Sequence, residues 1–270
     1  MAKYHAVDGI YRKVAKKYTP VEGVYRNVTK AFEPVDGVYR QYFSSGVPAE
    51  TLAVGDSVWL NVNGAQTEFL VVHQGNPDSA RYDASCDGTW LLMKNLHTNR
   101  NWDTTNNDYE NSDIHSYLNT TFHNHLDSVA QSAIKQVKIP YNKGNGWYGS
   151  VKKLSDGLST KIFLLSGREC GATTDTTDFS LMPADGTCLD YFSGTAATDS
   201  KRIAYNSYGD KAAWYMRTPK RESSNQWVWL VSTVGMIGFN TITSNLWVRP
   251  AFILDSSTLV DQSTGINIIV

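Results

Sequence analysis

The chain has 270 residues, of which 41% are hydrophobic and 19% charged, with 25 Lys and Arg against 26 Asp and Glu. That apolar content excludes a disordered chain, and a net charge of −1 excludes the electrostatic footprint of a general nucleic-acid binder. There is no apolar run of the roughly 18 residues that a membrane span needs, and the opening MAKYHAVDG lacks the apolar core of a signal peptide. A protein without a leader or membrane insertion is therefore expected.

Residues 1–46 carry eight basic and four acidic side chains, a net of +4, and the remaining 224 residues carry a net of −5. The same boundary separates a repeat from a non-repeat. Val7-Asp-Gly-Ile-Tyr-Arg12, Val21-Glu-Gly-Val-Tyr-Arg26 and Val35-Asp-Gly-Val-Tyr-Arg40 recur every 14 residues. Each unit predicts two short strands joined at Asp-Gly or Glu-Gly, because Gly supplies the positive φ of a tight turn and Val, Ile and Tyr favour the pleat. So short a unit cannot bury its own apolar face. It must stack on its neighbours or on another chain, which predicts an oligomerisation and docking element at 1–46.

From Val47 onward the pattern predicts one compact α+β domain over 47–270. Leu52–Leu60, Thr67–His73 and Thr89–Met93 read as strands, broken by Asn63-Gly64 and Asp87-Gly88. The stretch 113–126 places Ile114, Tyr117, Leu118, Phe122 and Leu126 on one helical face, with Ser112 or Asp113 as cap, and a short helix is expected from Val129 to Ile134. Strands are expected again at Lys161–Leu165, Trp214–Arg217, Trp227–Val234 and Trp247–Leu254, with a loop-rich region at 167–210.

Little chemistry is signalled along this path. Gly144-Asn-Gly-Trp-Tyr-Gly149 fits G-x-G-x-x-G without the βαβ context of a dinucleotide site. His115, His123 and His125 are not spaced to meet on one helix face, so a polar face is expected there and no metal. Asp103, Asn107, Asp108, Glu110 and Asp113 offer oxygen ligands, so calcium is possible, but they lack the ligand spacing of an EF-hand. Cys86, Cys170 and Cys188 are too scattered for a disulfide framework, and buried free thiols are expected. No cofactor is expected.

The segment 225–247 sets aromatic and aliphatic residues among small polar ones. As a strand it would be apolar on both faces, either covered on both sides or exposing one face as a contact surface. Trp227, Leu230, Ser232, Val234, Met236, Phe239, Asn240, Thr241, Thr243, Asn245 and Trp247 are the candidate ligand-binding residues. Aromatic anchors among small polar groups give large contact area at low entropic cost.

Two resemblances bear on these segments. The V-D-G-V-Y-R repeats, ending in Gln41-Tyr42-Phe43-Ser44-Ser45-Gly46, resemble repeats near the N-termini of tail and baseplate proteins of phages of gut Firmicutes. That implies attachment to a virion tail. The run Ser112–Phe122, then Lys161–Ser166, Trp214–Pro219, W-x-V-x-T-x-G at 229–235 and Val248–Phe252, is similar to C-type-lectin-fold domains, including variable proteins of diversity-generating retroelements.

The second resemblance implies a C-type-lectin-like body that displays the candidate residues to a host-surface protein or glycan. It assigns Trp229, Val231, Gly235, Arg249 and Pro250 to the scaffold. Adenine-directed diversification of Asn codons yields Leu, Ser, Val, Phe or Thr but not Trp or Met, so Trp227, Met236 and Trp247 depart from that code. Enzymes of the formylglycine-generating type share the fold but rely on a cysteine pair in the C-terminal motifs, where Cys170 and Cys188 do not lie. The expectation is thus a non-enzymatic, homo-oligomeric receptor-binding protein of the phage tail tip, with a trimer favoured. The alternative is a structural component whose domain packs against neighbouring subunits.

Overall fold

A computed structural model describes the backbone of the strands between residues 4 and 44, and residues 46–144, 150–172, 178–194, 198–262 and 265–270. Each repeat contributes one antiparallel pair: Tyr4–Val7 with Ile10–Lys13, Lys17–Val21 with Val24–Val28, and Lys30–Val35 with Val38–Ser44. Val7 pairs with Ile10, Val21 with Val24 and Val35 with Val38, so each connection is the two residues at which a turn was expected. Asp8, Gly9, Glu22, Gly23, Asp36 and Gly37 themselves lie outside the described residues.

The rest of the chain is built on two large sheets, with two further strand pairs, Val137–Ile139 with Leu158–Thr160 and Tyr141–Asn142 with Val151–Lys152. The long sheet has eight strands in the order Ile162–Phe163, Ala251–Leu254, Thr89–Met93, Ala65–Gln74, Ser57–Val62, Asn267–Ile269, Leu259–Asp261 and Val47–Pro48. All its pairs are antiparallel except that between Asn267–Ile269 and Ser57–Val62. Thr89–Met93 and Ala251–Leu254 are buried at every position, as strands covered on both faces require. The short sheet has five strands: Asn99–Arg100, Leu246–Trp247, Trp214–Pro219, Trp227–Val231 and Ile237–Thr241.

The single strand expected at Trp247–Leu254 is two strands, one in each sheet. Pro250 lacks the N–H that a continuous ladder needs, and the chain crosses between the sheets at Val248-Arg-Pro250. Arg249 fixes the crossing. Its Nε and Nη2 donate to the carbonyls of Met93 and Lys94 at 2.8 and 3.0 Å, and its guanidinium lies 5.0 Å from the Trp214 ring centroid. Burial lowers its pKa to about 10.

Helical structure is confined to short pieces. Asp113–Tyr117, a π-helical segment Leu118–Phe122 and His123–His125 follow one another without a break, and Ser112 caps the start by accepting the His115 N–H at 3.2 Å. Ile114, Leu118, Phe122 and Leu126 are buried as the periodicity predicted, and Tyr117 is half-buried. Asn119 ties this helix to the edge of the long sheet, donating to Ile162 O at 2.8 Å and accepting the Ile162 N–H at 3.1 Å. The second helix is Ser128–Ala133, capped by Asp127 through the Ala130 N–H. Among the described residues no helix is long and apolar enough to cross a membrane.

The expected α+β, C-type-lectin-like class is therefore overturned: the body is mainly β. Amphipathic periodicity at 113–126 identifies a real helix, but that signal is local. Apart from the ten-residue Ala65–Gln74, the remaining order comes from many strands of two to six residues, which long-range pairing creates and sequence windows resolve poorly.

Candidate functional site

The segment 227–247 folds as a hairpin at the margin of the short sheet, followed by a turn and the strand Leu246–Trp247. Trp227–Val231 lies between Trp214–Pro219 and Ile237–Thr241, so both of its hydrogen-bonding edges are taken, and the burial of Val228–Val231 shows that its faces are covered as well. Val228, Trp229 and Val231 are fully buried. Leu230 is also buried, at 7% exposure, so its expected place among displayed residues is corrected. A strand packed on both faces has no displayed side chain to spare.

The other candidates lie nearer solvent. Ser232 begins the hairpin turn, its N–H donating to Met236 O and its hydroxyl accepting the Met236 N–H. Gly235, at φ +82°, supplies the left-handed conformation that this turn requires. Val234 and Met236 protrude from the turn, 59% and 58% exposed. Thr243 and Asn245 are exposed in the next turn, while Trp227, Phe239, Asn240, Thr241 and Trp247 are half-buried. The residues that the resemblance assigned to the scaffold, Trp229, Val231, Gly235, Arg249 and Pro250, are all buried.

Phe239 is the centre of a cluster absent from the sequence reading. Its ring stands edge-on to Trp227 and Trp229 at centroid distances of 5.6 Å, and Lys220 Nζ lies 3.7 Å from its centroid. The ammonium also pairs with Glu222 at 2.8 Å. A buried Lys beside an aromatic face gains cation–π attraction that offsets lost hydration. Asn107 donates to Trp227 O at 2.9 Å, tying the segment 103–111 to the base of the hairpin.

Beside that junction lies a cleft of about 280 Å³ lined by Asn106, Asp108, Lys143 and Asn225. One buried oxygen of Asp108 and the Asn107 side-chain oxygen have no hydrogen-bond partner among the described residues. Of the oxygen ligands considered for calcium, Glu110 accepts from the Tyr141 hydroxyl at 2.7 Å, Asp108 from the Asn111 side chain at 2.8 Å, and Asp103 from the backbone. Asp103 accepts the N–H groups of Thr105, Asn106 and Asp113 at 2.6, 3.2 and 3.1 Å. Burial pushes its carboxyl up, but these bonds outweigh it and hold the pKa below the usual range. Among the described residues, no three His, Cys, Asp or Glu side chains are arranged to hold a metal.

Behind the short sheet sits a second polar cluster that the sequence reading missed. Arg217 and Glu169, both without solvent exposure, form a two-pronged pair at 2.6 Å on each prong. Tyr82 donates to Glu169 at 2.7 Å, and Arg217 also donates to the carbonyls of Leu164, Pro140 and Asp185. Burial alone would lower the Arg217 pKa, but Glu169 more than reverses that and raises it. Asp185 accepts from Thr218 at 3.1 Å, and its other oxygen is buried without a partner among the described residues. Burial pushes its carboxyl up to about 6, with Arg217 opposing. Gly186 is required here, because a Cβ would lie 2.3 Å from Ser166 Oγ. An Arg within the otherwise uncharged run Trp214–Pro219 was the available signal, since Arg is almost never fully buried unless paired.

The remaining candidates fall apart chemically. Cys86 and Cys170 are buried with pKa values raised by burial, but Cys188 is exposed, contrary to expectation. Its pKa is also raised by burial of the sulfur, the reverse of an activated nucleophile. Residues 145–149 of the glycine motif lie outside the described residues. His115 bonds Glu110 O and Thr160, and burial lowers its pKa. His97, stacked on Tyr117, is lowered to about 4 by burial and by His125.

No curated protein and no solved structure matches the chain. A family model described as a domain of unknown function, DUF6273, matches residues 87–256, which take in the whole short sheet and the charged cluster but not the hairpin 57–74. With more than half of its length matched, the chain belongs to the DUF6273 family.

Proposed function

We propose that the chain is a receptor-binding component of a phage tail, attached through residues 1–46 and recognising a host-surface protein or glycan through the turns of the 227–247 segment. The observation that carries this reading is a separation within that segment. The strand Val228–Val231 is wholly buried, while Val234, Met236, Thr243 and Asn245 project from the two turns that it supports. Residues 227–247 contain no charged side chain. Such an arrangement lets the projecting residues vary without disturbing the core, as a face diversified by a retroelement requires, and it supplies uncharged contact area on a rigid support.

The test is adsorption of the labelled full-length chain to a panel of gut Firmicutes cultures. Replacing Val234, Met236, Thr243 and Asn245 together by Ser lowers the cell-bound fraction by at least roughly tenfold, the effect of losing one modest hot spot. Unchanged adsorption by a folded variant, or no adsorption of the wild type to any culture, overturns the reading.

A further inference from the structure

The four ends of the two sheets are not alike. Ile162–Phe163, Val47–Pro48 and Asn99–Arg100 are each two residues long, and the last two carry a Pro and an Arg. Short strands, prolines and charges are the usual means of stopping a sheet edge from pairing with another chain. The fourth end, Ile237-Gly-Phe-Asn-Thr241, is five residues long with neither charge nor proline.

Its open main-chain groups follow from the phase of the ladder. Ser232 N–H bonds Met236 O and Ile242 N–H bonds Gln226 O, each at 2.8 Å. Antiparallel alternation then turns Gly238 and Asn240 inward to Leu230 and Val228, and turns the N–H and C=O of Ile237 and Phe239 outward. Thr241 closes the row. Its N–H takes the Asn240 side-chain oxygen at 2.8 Å and its C=O takes the Ser244 N–H at 3.1 Å. The outward groups of Ile237 and Phe239 meet no partner among the described residues.

We propose that this edge is a two-fold interface, its occupant being the same strand of a second copy of the chain, paired antiparallel about Gly238. This goes beyond the receptor-binding reading and stands without it. In that register Ile237 faces Phe239 of the copy in two bonded pairs, and all of the outward N–H and C=O groups of both residues are satisfied at once. The two Gly238 residues then oppose each other as a non-bonded pair, where antiparallel backbones come closest, about 4.5 Å between Cα atoms. Gly238 leaves that approach free of side chains. Met236, 58% exposed, comes to lie opposite Asn240 of the copy. The strand is held for pairing because Phe239 is clamped by Trp227, Trp229 and Lys220. Pairing about a two-fold axis is also the commonest closed symmetry.

A charge at Gly238 tests the register without disturbing the protomer, since a Cβ there meets only Leu230 Cδ1, at 3.9 Å. In sedimentation equilibrium of the full chain, Gly238→Lys and Gly238→Glu each lower the assembled mass about twofold, because like charges face each other across the axis. An equimolar mixture of the two restores the wild-type mass. A wild-type mass unaffected by either variant, or a mixture that fails to recover, overturns the proposal. Amide exchange on the wild type gives a readout that needs no variant: the amides of Ile237 and Phe239 gain protection as protein concentration rises. Protection that does not change with concentration also overturns it.

Discussion

The two sheets share one core yet are held by different means. The long sheet's wholly buried strands, Thr89–Met93 and Ala251–Leu254, carry only apolar side chains and a Thr. The short sheet's central strand, Trp214–Pro219, is equally buried but carries Arg217, which reaches Glu169 and, through the Asp185 carbonyl, the irregular segment behind the sheet. Apolar packing is non-directional and tolerates many partners, whereas a two-pronged ion pair accepts one geometry. The short sheet therefore has a back of fixed geometry behind the exposed turns of its hairpin segment.

Breaking that back has the largest expected effect. Glu169→Ala leaves Arg217 buried without its counter-charge, a loss of about 3–5 kcal/mol in urea denaturation. If the pair supplies geometry more than stability, Glu169→Leu with Arg217→Met recovers most of that loss. In the long sheet, Leu91→Ala costs about 3 kcal/mol through a cavity, and no second substitution of opposite charge rescues it.

Next in size is a pH dependence confined to the short sheet. Burial raises the folded-state pKa of Asp185 to about 6, above the ordinary aspartate value of about 3.9. Its contribution is therefore fully present below the lower value and lost as pH rises through about 6. The stability of the wild type should fall over that interval, by on the order of 2 kcal/mol, and Asp185→Asn should flatten it. An unchanged slope in the variant assigns the titration elsewhere. Smallest of all, Val234→Ser and Met236→Ser should each move stability by less than about 0.5 kcal/mol, since both side chains are largely in water. A larger loss from either would show that this turn is not free to vary.

The parts legible in the sequence were those encoded locally. The cap at Ser112, the buried stripe Ile114, Leu118, Phe122 and Leu126, and the strands at 67–73 and 89–93 follow from periodicity within a single window. The paired strands of each repeat follow from Asp-Gly or Glu-Gly at a fixed spacing. What was not legible depends on partners far along the chain. Nothing near Arg217 announces Glu169, 48 residues away, and nothing in Trp247–Leu254 except Pro250 announces a change of sheet. Leu230 looked displayable because strand alternation does not say whether a neighbour covers the second face. The fold class failed for the same reason: one strong helical signal outweighed many strands too short to register.

The strand Val47–Pro48 also has a mechanical consequence. It follows directly on the repeats and is joined to Leu259–Val260, with Ala49 and Glu50 adding bonds to the carbonyls of Thr258 and Ser256. A load entering through residue 46 meets this short ladder before it reaches any strand of the central core. Val47–Pro48 is two residues long, against ten for Ala65–Gln74 further in. Each residue released adds about 3.3 Å of length. If residues 1–46 carry a load, as the proposed attachment implies, release of this end strand lengthens the tether while the other strands of both sheets, and the turns that they carry, stay paired.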